Sequence, residues 1–143
     1  MTRRRALESF EVRVIGRVES SLTDLDAAPR QTDEGAPEAC LVFAPEVLEG
    51  LRSLKPGDHV VLVTWLDRAR RDVLTVHPRG DASRPLEGVF STRSPHRPNP
   101  IGLHRVEITA IDGPRVWVRH LEAVNGTPIL DIKPILSDDV RQR

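Results

Sequence analysis

Hydrophobic and polar residues alternate along much of the chain, and a period of two is typical of β-strands. In residues 11–19 the apolar side chains of Val12, Val14 and Val18 alternate with polar ones, as expected for a strand with one buried face. Similar runs, separated by polar or Pro/Gly turns, predict seven further strands, at 39–43, 59–66, 73–77, 88–92, 103–111, 116–121 and 129–132. The pattern therefore predicts eight strands joined mainly by turns.

The run 103–111 indicates which side chains face the core. One face of this strand carries His104, Val106, Ile108 and Ala110, and we expect it to be buried. His104 would then be a packing residue that is satisfied by a hydrogen bond. The turn Asp112–Arg115 leads directly into the next run, so the two strands are expected to be antiparallel neighbours.

Two segments interrupt the strand pattern. From Pro45 to Leu54 the apolar residues recur at helical spacing, which predicts one short helix that begins at a proline. Residues 20–39 have little apolar content, and so long a loop is uncommon in a small domain unless it is functional. Because closing a sheet removes its exposed edges, we predict an all-β fold, namely a small, mostly antiparallel β-barrel with one short helix and a long loop in the N-terminal half.

The length of 143 residues fits one domain with a single core. We place the barrel domain at residues 10–136, with a flexible basic segment at 1–9 and a tail at 137–143. No apolar run is long enough to cross a membrane, and no apolar stretch follows the basic start. Cys40 is the only cysteine, which excludes an intramolecular disulfide and a cysteine-based zinc site. These features favour a cytoplasmic protein, and we expect no metal site.

Arginines on a proline-containing loop are the first candidates for binding. Acidic and basic residues balance at 21 each, so net charge neither favours nor excludes a nucleic-acid partner. Arg93 and Arg97 lie in RSPHRPNPIG, where three prolines restrict the backbone before any ligand binds. Such a loop either clamps an anion between two guanidinium groups or simply connects two strands.

Motifs of the common enzyme folds are missing from the chain. It contains no GxG turn, no GxxxxGK[ST] phosphate loop, no GxSxG nucleophile elbow and no HExxH helix, which disfavours most familiar enzyme classes. The turn NGTP at 125–128 is followed by Asp131 and Lys133 in an otherwise apolar run. This charged pair is either a salt bridge at a sheet edge or a ligand contact.

Two longer motifs resemble a known family. The runs GVFSTRSPHRPNPIGL at 88–103 and NGTPILDIKP at 125–134 resemble the TsaA-like domain family, whose characterised members are tRNA methyltransferases of the TrmO type. With RVIGRVESS at 13–21 and PRQ at 29–31, the resemblance extends over residues 10–136. It implies a small β-barrel that binds S-adenosyl-L-methionine as a homodimer. It further implies methylation of N6 of the threonylcarbamoyl-modified adenosine beside the anticodon of threonine tRNA, with no DNA or membrane partner.

The resemblance also implies site residues. Those for the methyl donor are Pro29, Arg30, Gln31, Asp67, Arg68, Arg93, Leu103, Leu121, Glu122, Ala123 and Val124. Arginine suits the donor carboxylate, so we assign that group to Arg93 or Arg30. The amino end suits Gln31 or Glu122, and Leu103 would cover a face of the adenine. Residues expected at the acceptor are Arg97, Asn99 and Lys133. The candidates for a general base, by location, are Asp131 and His96.

The chain departs from the family at several positions. Members often carry a histidine in place of Asp67, an aspartate in place of Asn125, and a tyrosine in place of Ile135. Because this chain has no tyrosine, stacking on an unpaired base would use Trp65, Trp117 or a phenylalanine. Two other functions stay open. One is methyl transfer to a small molecule or another RNA, and the other is a non-catalytic barrel that binds S-adenosyl-L-methionine or docks on RNA.

Overall fold

The computed structural model of the protein describes residues 7–21 and 38–136. Its strands are β1 (Gly16–Glu19), β2 (Ala39–Phe43), β3 (His59–Trp65), β4 (Thr75–Val76), β5 (Glu87–Gly88), β6 (Ile101–Asp112), β7 (Arg115–Arg119) and β8 (Pro128–Pro134). Short 3-10 helices cover Pro45–Leu51, Pro78–Gly80 and Val89–Ser91. Most of the predicted loop at 20–39, namely residues 22–37, lies outside the described residues.

Six strands close into a barrel in the order β1-β2-β7-β6-β3-β8, and every neighbouring pair is antiparallel. The predicted all-β, mostly antiparallel barrel is therefore confirmed. Two of the eight predicted strands lie outside it, because β4 and β5 form a separate two-stranded sheet. The predicted strand at 88–92 is also too long. Its chain leaves β5 after Gly88 and turns into the 3-10 helix Val89–Ser91, which buries the Val89 side chain.

The predicted first strand, 11–19, pairs only from Gly16 onward. β2 ends at Phe43, directly opposite Gly16, and the chain then enters the 3-10 helix Pro45–Leu51. The ladder with β8 also begins at Gly16. Residues 10–14 therefore have the sequence pattern of a strand without a strand partner in the described chain.

The predicted helix is confirmed as the 3-10 helix Pro45–Leu51. It is short, and its first residue is preceded by Ala44, which offers no side-chain cap. Short uncapped segments often take the tighter 3-10 form. Val47 and Leu51 pack half-buried against the core, as does Leu54 just beyond the helix. None of the described helices has the length and apolarity that are needed to cross a membrane.

Alternate strand residues fill the barrel interior. Side chains with no exposed surface include Leu41, Leu62, Ile108, Val116, Leu121 and Ile129. On β6 the side chains of Val106 and Ile108 are buried as predicted, whereas Ala110 is exposed. The register with β7 shifts between Ile108 and Ala110, and a bulge turns the following side chains to the opposite face. Ile111 packs against the core instead.

Candidate functional site

One end of the barrel gathers three connecting segments. β3 ends there beside the start of β6, since Trp65 pairs with Ile101, and β8 also starts there because it runs antiparallel to β3. β1 and β7 end on either side of the start of β2 at this same end. We name it the site end. The segments that leave and re-enter the barrel here are 20–38, 66–100 and 120–127. Each of them contains or adjoins residues that the family resemblance assigns to the donor.

A cavity of about 440 Å³ opens at the site end. Its lining residues are Leu66, Phe90, Thr92, Arg93, Ser94, Arg97, Ile101, Gly102, Leu103 and His104. The β6 side is largely apolar, with Ile101 and Leu103 partly exposed, and the loop side carries guanidinium and hydroxyl groups. This volume and this mixture of apolar wall and few polar groups are typical of small-ligand sites.

The floor of the cavity is fixed by a contact between β3 and β6. Thr64 is fully buried, and its Oγ1 lies 2.9 Å from His104 Nε2, within hydrogen-bond distance. Burial lowers the pKa of His104 to about 4, so the ring is neutral at neutral pH. Gly102, which pairs with Thr64 across the two strands, has no room for a side chain, because a Cβ there would lie 2.5 Å from Thr64 Oγ1. His104 is thus the hydrogen-bonded packing residue that the alternation predicts.

Arg97 is part of the framework of the loop. Its Nε donates to the Ser94 carbonyl oxygen at 2.8 Å, and its Nη2 donates to the carbonyl oxygens of Val89 at 2.6 Å and Thr92 at 2.5 Å. One side chain therefore ties three backbone positions of the motif together. Among the described residues only Nη1 of Arg97 is left for a ligand.

The second half of this loop is fastened to the segment 66–72. Arg71 donates from Nη2 to Asn99 Oδ1 at 3.1 Å, and the backbone N–H of Arg70 donates to His96 Nδ1 at 3.0 Å. Asn99, predicted at the acceptor, and His96, predicted as a base, both hold the loop in place through these contacts. Because His96 Nδ1 accepts, its proton in the neutral ring lies on Nε2.

Arg93 differs from Arg97 in having no partner. Its side chain is exposed and lines the cavity, and no hydrogen bond or ion pair engages it within residues 7–21 and 38–136. The adjacent backbone is nevertheless fixed, since Thr92 Oγ1 donates to the Val89 carbonyl at 3.0 Å and accepts the Ser94 N–H at 3.1 Å. An unpaired guanidinium beside a fixed backbone is suited to binding an anionic group.

Phe90 lines the same cavity, and the sequence pattern does not distinguish it from the other phenylalanines as a stacking residue. Its side chain is 79% exposed. The neighbouring Val89 is buried and anchors the turn. Both are apolar residues of one motif, and the sequence alone does not show which of the two enters the core. An exposed phenylalanine beside Arg93 offers a flat apolar surface to a ligand ring.

The segment Leu121–Val124 joins β7 to the site end. Its side chains are largely buried, and Glu122 Oε1 is buried without a hydrogen-bond partner among the described residues. Ser20 Oγ donates to the Ala123 carbonyl at 2.7 Å, which ties this segment to the start of the 20–38 connection. A buried carboxylate oxygen without a donor is unfavourable, so a cationic ligand group would be stabilised beside Glu122.

The other predicted donor residues lie partly within and partly outside the described residues. Asp67 and Arg68 are exposed in the turn that follows β3. Pro29, Arg30 and Gln31 lie outside the described residues. Within residues 7–21 and 38–136, no group of three or more side chains could hold a metal ion.

Asp131 and Lys133 lie apart from the cavity. Lys133 Nζ is 3.4 Å from Asp131 Oδ2 on β8, so the salt bridge is the observed alternative for this charged pair. Asp131 lines a different groove of about 420 Å³, together with Val47, Leu51 and Asp58. This groove shares no lining residue with the site-end cavity, so the structure does not bring Asp131 to the predicted donor residues.

The fold and the cavity define a small antiparallel β-barrel protein with a ligand-sized site at one barrel end. A family model described as the tRNA-methyltransferase O N-terminal domain matches residues 17–139. The chain belongs to this family, which confirms the resemblance drawn from the motifs.

Individual proteins agree with this assignment. The chain is 40% identical over 127 residues to a probable S-adenosyl-L-methionine-binding protein of Archaeoglobus fulgidus, a match that covers 89% of this chain and 34% of that protein. It is also 40% identical over 119 residues to an S-adenosyl-L-methionine-binding protein of the same organism, with 83% and 84% covered. The crystal structure of TrmO from Pseudomonas aeruginosa matches with a TM-score of 0.72 at 31% identity, covering 90% of this chain and 57% of that one. The chain therefore spans about a third of the first relative and little more than half of the TrmO structure.

Proposed function

We propose that the chain is an S-adenosyl-L-methionine-dependent methyltransferase that acts on tRNA. The proposed acceptor is N6 of the threonylcarbamoyl-modified adenosine beside the anticodon of threonine tRNA. The observation that carries the proposal is the Arg93 guanidinium, which lines the site-end cavity on a fixed loop and has no partner within residues 7–21 and 38–136. Membership of the tRNA-methyltransferase family and the names of the binding-protein relatives support the choice of donor.

The unpaired groups at the site end fit the two charges of the amino-acid part of the donor. Arg93 would hold the carboxylate, since its guanidinium fork matches that group. Glu122, which lies on the 120–127 connection at the same barrel end and whose Oε1 has no partner among the described residues, would receive the ammonium group. Leu103 would cover the adenine, and Pro29, Arg30 and Gln31 would complete the site from a segment that starts and ends at the site end.

The residues of this chain act mainly by positioning. The bound donor supplies an electrophilic methyl group on a cationic sulfur. Arg97 and Arg71 fix the loop that presents Arg93, and Ile101 with Leu103 forms the apolar wall of the cavity. Holding two reactants in line on such a framework can supply a large part of a rate enhancement.

Neither base candidate, Asp131 nor His96, lines the site-end cavity. Asp131 lines the separate groove beside Val47 and Leu51, which shares no lining residue with the site-end cavity. His96 accepts a backbone N–H at Nδ1, so its outer nitrogen in the neutral ring is a donor. We propose that the proton released from N6 on methyl transfer passes to water, and that the reaction needs no dedicated side-chain base.

The proposal includes tRNA as partner, a homodimeric state and a cytoplasmic location. The cytoplasm follows from the choice of tRNA as substrate. Residues 10–14 offer a surface for the homodimer, because three of them form an exposed apolar stripe.

Arg93 provides the test of the donor site. If it binds the donor carboxylate, Arg93→Ala should weaken the binding of S-adenosyl-L-methionine by roughly 2–4 kcal/mol, the cost of truncating one partner of a close charged pair. Arg93→Lys should restore only part of the loss, because lysine lacks the planar fork. Arg105, which is exposed on the same β6 and lines a separate groove, is the matched control. Calorimetric titrations that give equal affinities for wild type and Arg93→Ala would refute this donor site.

A non-catalytic barrel that binds S-adenosyl-L-methionine is the second candidate function. The names of the two binding-protein relatives state binding of S-adenosyl-L-methionine and no transfer. Transfer of an isotopically labelled methyl group from the donor to bulk tRNA separates the two functions. Donor binding without transfer to any RNA would favour the second candidate, and transfer to a nucleoside other than the threonylcarbamoyl-modified one would change the acceptor.

A further inference from the structure

Residues 10–14 present an exposed apolar stripe. Phe10, Val12 and Val14 are 87%, 61% and 46% exposed, and the intervening Glu11 and Arg13 are exposed as well. The segment contains no helix, turn or bend. It continues directly into β1, whose even-numbered residues Gly16 and Val18 face the barrel interior. In the numbering of the strand the stripe continues the even-numbered, core-facing positions of β1, while Ile15 between them packs half-buried against the core.

The backbone of this segment is also unpaired. The last ladder contacts are made at Ile15, whose N–H donates to Ile129 at 2.9 Å and whose carbonyl accepts from Ala44 at 2.9 Å. No backbone hydrogen bond to residues 10–14 occurs within residues 7–21 and 38–136. A segment with an apolar stripe, and with backbone groups that have no partner in the described chain, can pair with another strand.

We infer that the stripe is covered by the same stripe of a second copy of this chain, in an antiparallel strand pair centred on Val12. In this register Phe10 faces Val14, Val12 faces its own copy, and Glu11 faces Arg13 twice by symmetry. Opposite charges are matched on the polar face, and apolar side chains meet on the other. Residues 10–14 are thus complementary to themselves, as a two-fold interface requires.

The neighbouring registers lack this match. Centring the pair on Glu11 or on Arg13 places two identical charges opposite each other, which is unfavourable. A one-residue slip about the bond between Val12 and Arg13 sets Glu11 against Val14 and mixes the two faces. Glu11 and Arg13 take part in no ion pair within the described chain, so both remain available to the partner copy.

A symmetric disulfide tests the register directly. Residues directly opposite in an antiparallel pair have Cα atoms about 4.5–5.5 Å apart, which is within the span of a disulfide. Val12→Cys should therefore give a covalent dimer under mild oxidation. Val14→Cys is the matched control, since its copy would lie about 14 Å away, four residues along the strand. The native Cys40 is buried, and burial raises the pKa of its thiol, so the wild type should not cross-link.

Reversal of the charges tests the same pairing without a covalent bond. Glu11→Arg or Arg13→Glu alone should weaken dimerisation about tenfold or more, because each creates two like-charge pairs by symmetry. The double variant Glu11→Arg with Arg13→Glu should recover the wild-type affinity. Sedimentation equilibrium measures all four proteins.

These experiments distinguish the proposed interface from the homodimer that the proposed function includes, and on which the interface rests. They also distinguish it from catalysis. If the protein dimerises but Val12→Cys does not cross-link, or if the charge reversals have no effect, the proposed interface is wrong and the homodimer stands. A protein that is monomeric at every concentration would overturn both. Neither result bears on donor binding, which is measured at the other end of β1.

Discussion

At the scale of single residues, Arg93 and Arg97 show how one side-chain type can serve two purposes on one loop. Arg97 donates from Nε and Nη2 to three carbonyl oxygens of the loop itself, whereas Arg93 lines the cavity and has no partner in the described part of the chain. The proline pattern correctly singles out this loop, but both arginines fit its sequence equally well. Which one binds a ligand depends on carbonyl positions that only the folded backbone defines.

His104 makes the stability of the protein depend on pH. Burial lowers its pKa from 6.5 to about 4, so the unfolded chain takes up a proton at a higher pH than the folded one. The neutral ring therefore contributes fully to the free energy of unfolding above pH 6.5. This contribution is lost as the pH falls through 4, and the full loss is about 3 kcal/mol. Urea unfolding of wild type and His104→Gln across this window should show a steeper decline for wild type. Parallel curves would contradict the buried, neutral state of His104.

At the scale of elements, the motif from Gly88 to Pro100 behaves as one rigid unit held by side chains. Arg97→Lys keeps the charge but loses the fork that reaches Val89 and Thr92. We expect faster amide hydrogen exchange throughout residues 88–99 and donor binding about tenfold weaker, since charge-assisted hydrogen bonds contribute about 1.5–3 kcal/mol each. The exposed Arg79 supplies the control, Arg79→Lys. Unchanged exchange in Arg97→Lys would show that the prolines alone fix the loop.

Phe90 is the exposed aromatic side chain of this unit. Its ring is exposed on a turn whose neighbour Val89 is buried, so stacking on an unpaired base would require little further ordering. Phe90→Ala should weaken tRNA binding by about 1–3 kcal/mol, the usual contribution of base stacking on an aromatic ring, and should leave donor affinity nearly unchanged. Leu86, which is 59% exposed, gives the control Leu86→Ala. An equal loss in both variants, or a loss of donor affinity, would count against stacking by Phe90.

The sequence patterns predict the elements better than their ends. Alternation correctly marks β3, β6 and β7 because each has one buried face. It fails at Ala110, where a bulge shifts the register, because an extra residue leaves no mark in the hydrophobic pattern. It also extends β1 to residue 11, since the exposed stripe at residues 10–14 has the composition of a core-facing strand.

At the scale of the whole molecule, the antiparallel ring brings the separate motifs together. The connections 20–38, 66–100 and 120–127 are distant in sequence, yet all leave the barrel at the site end because β1, β3 and β7 end there. The same topology explains the position of Asp131, which lies only a few residues beyond the NGTP turn. β8 carries it along the barrel to a groove that shares no residue with the site-end cavity.

The most direct test of the central proposal is the identity of the methylated nucleoside. Threonine tRNA that carries the threonylcarbamoyl modification would be incubated with the purified chain and S-adenosyl-L-methionine, digested to nucleosides and analysed by mass spectrometry. We expect one added methyl group on the threonylcarbamoyl-modified adenosine, formed with wild type and Arg105→Ala and reduced at least tenfold with Arg93→Ala, in line with its expected loss of donor affinity. An unmodified nucleoside profile at saturating donor would contradict the assignment of this chain as a tRNA methyltransferase.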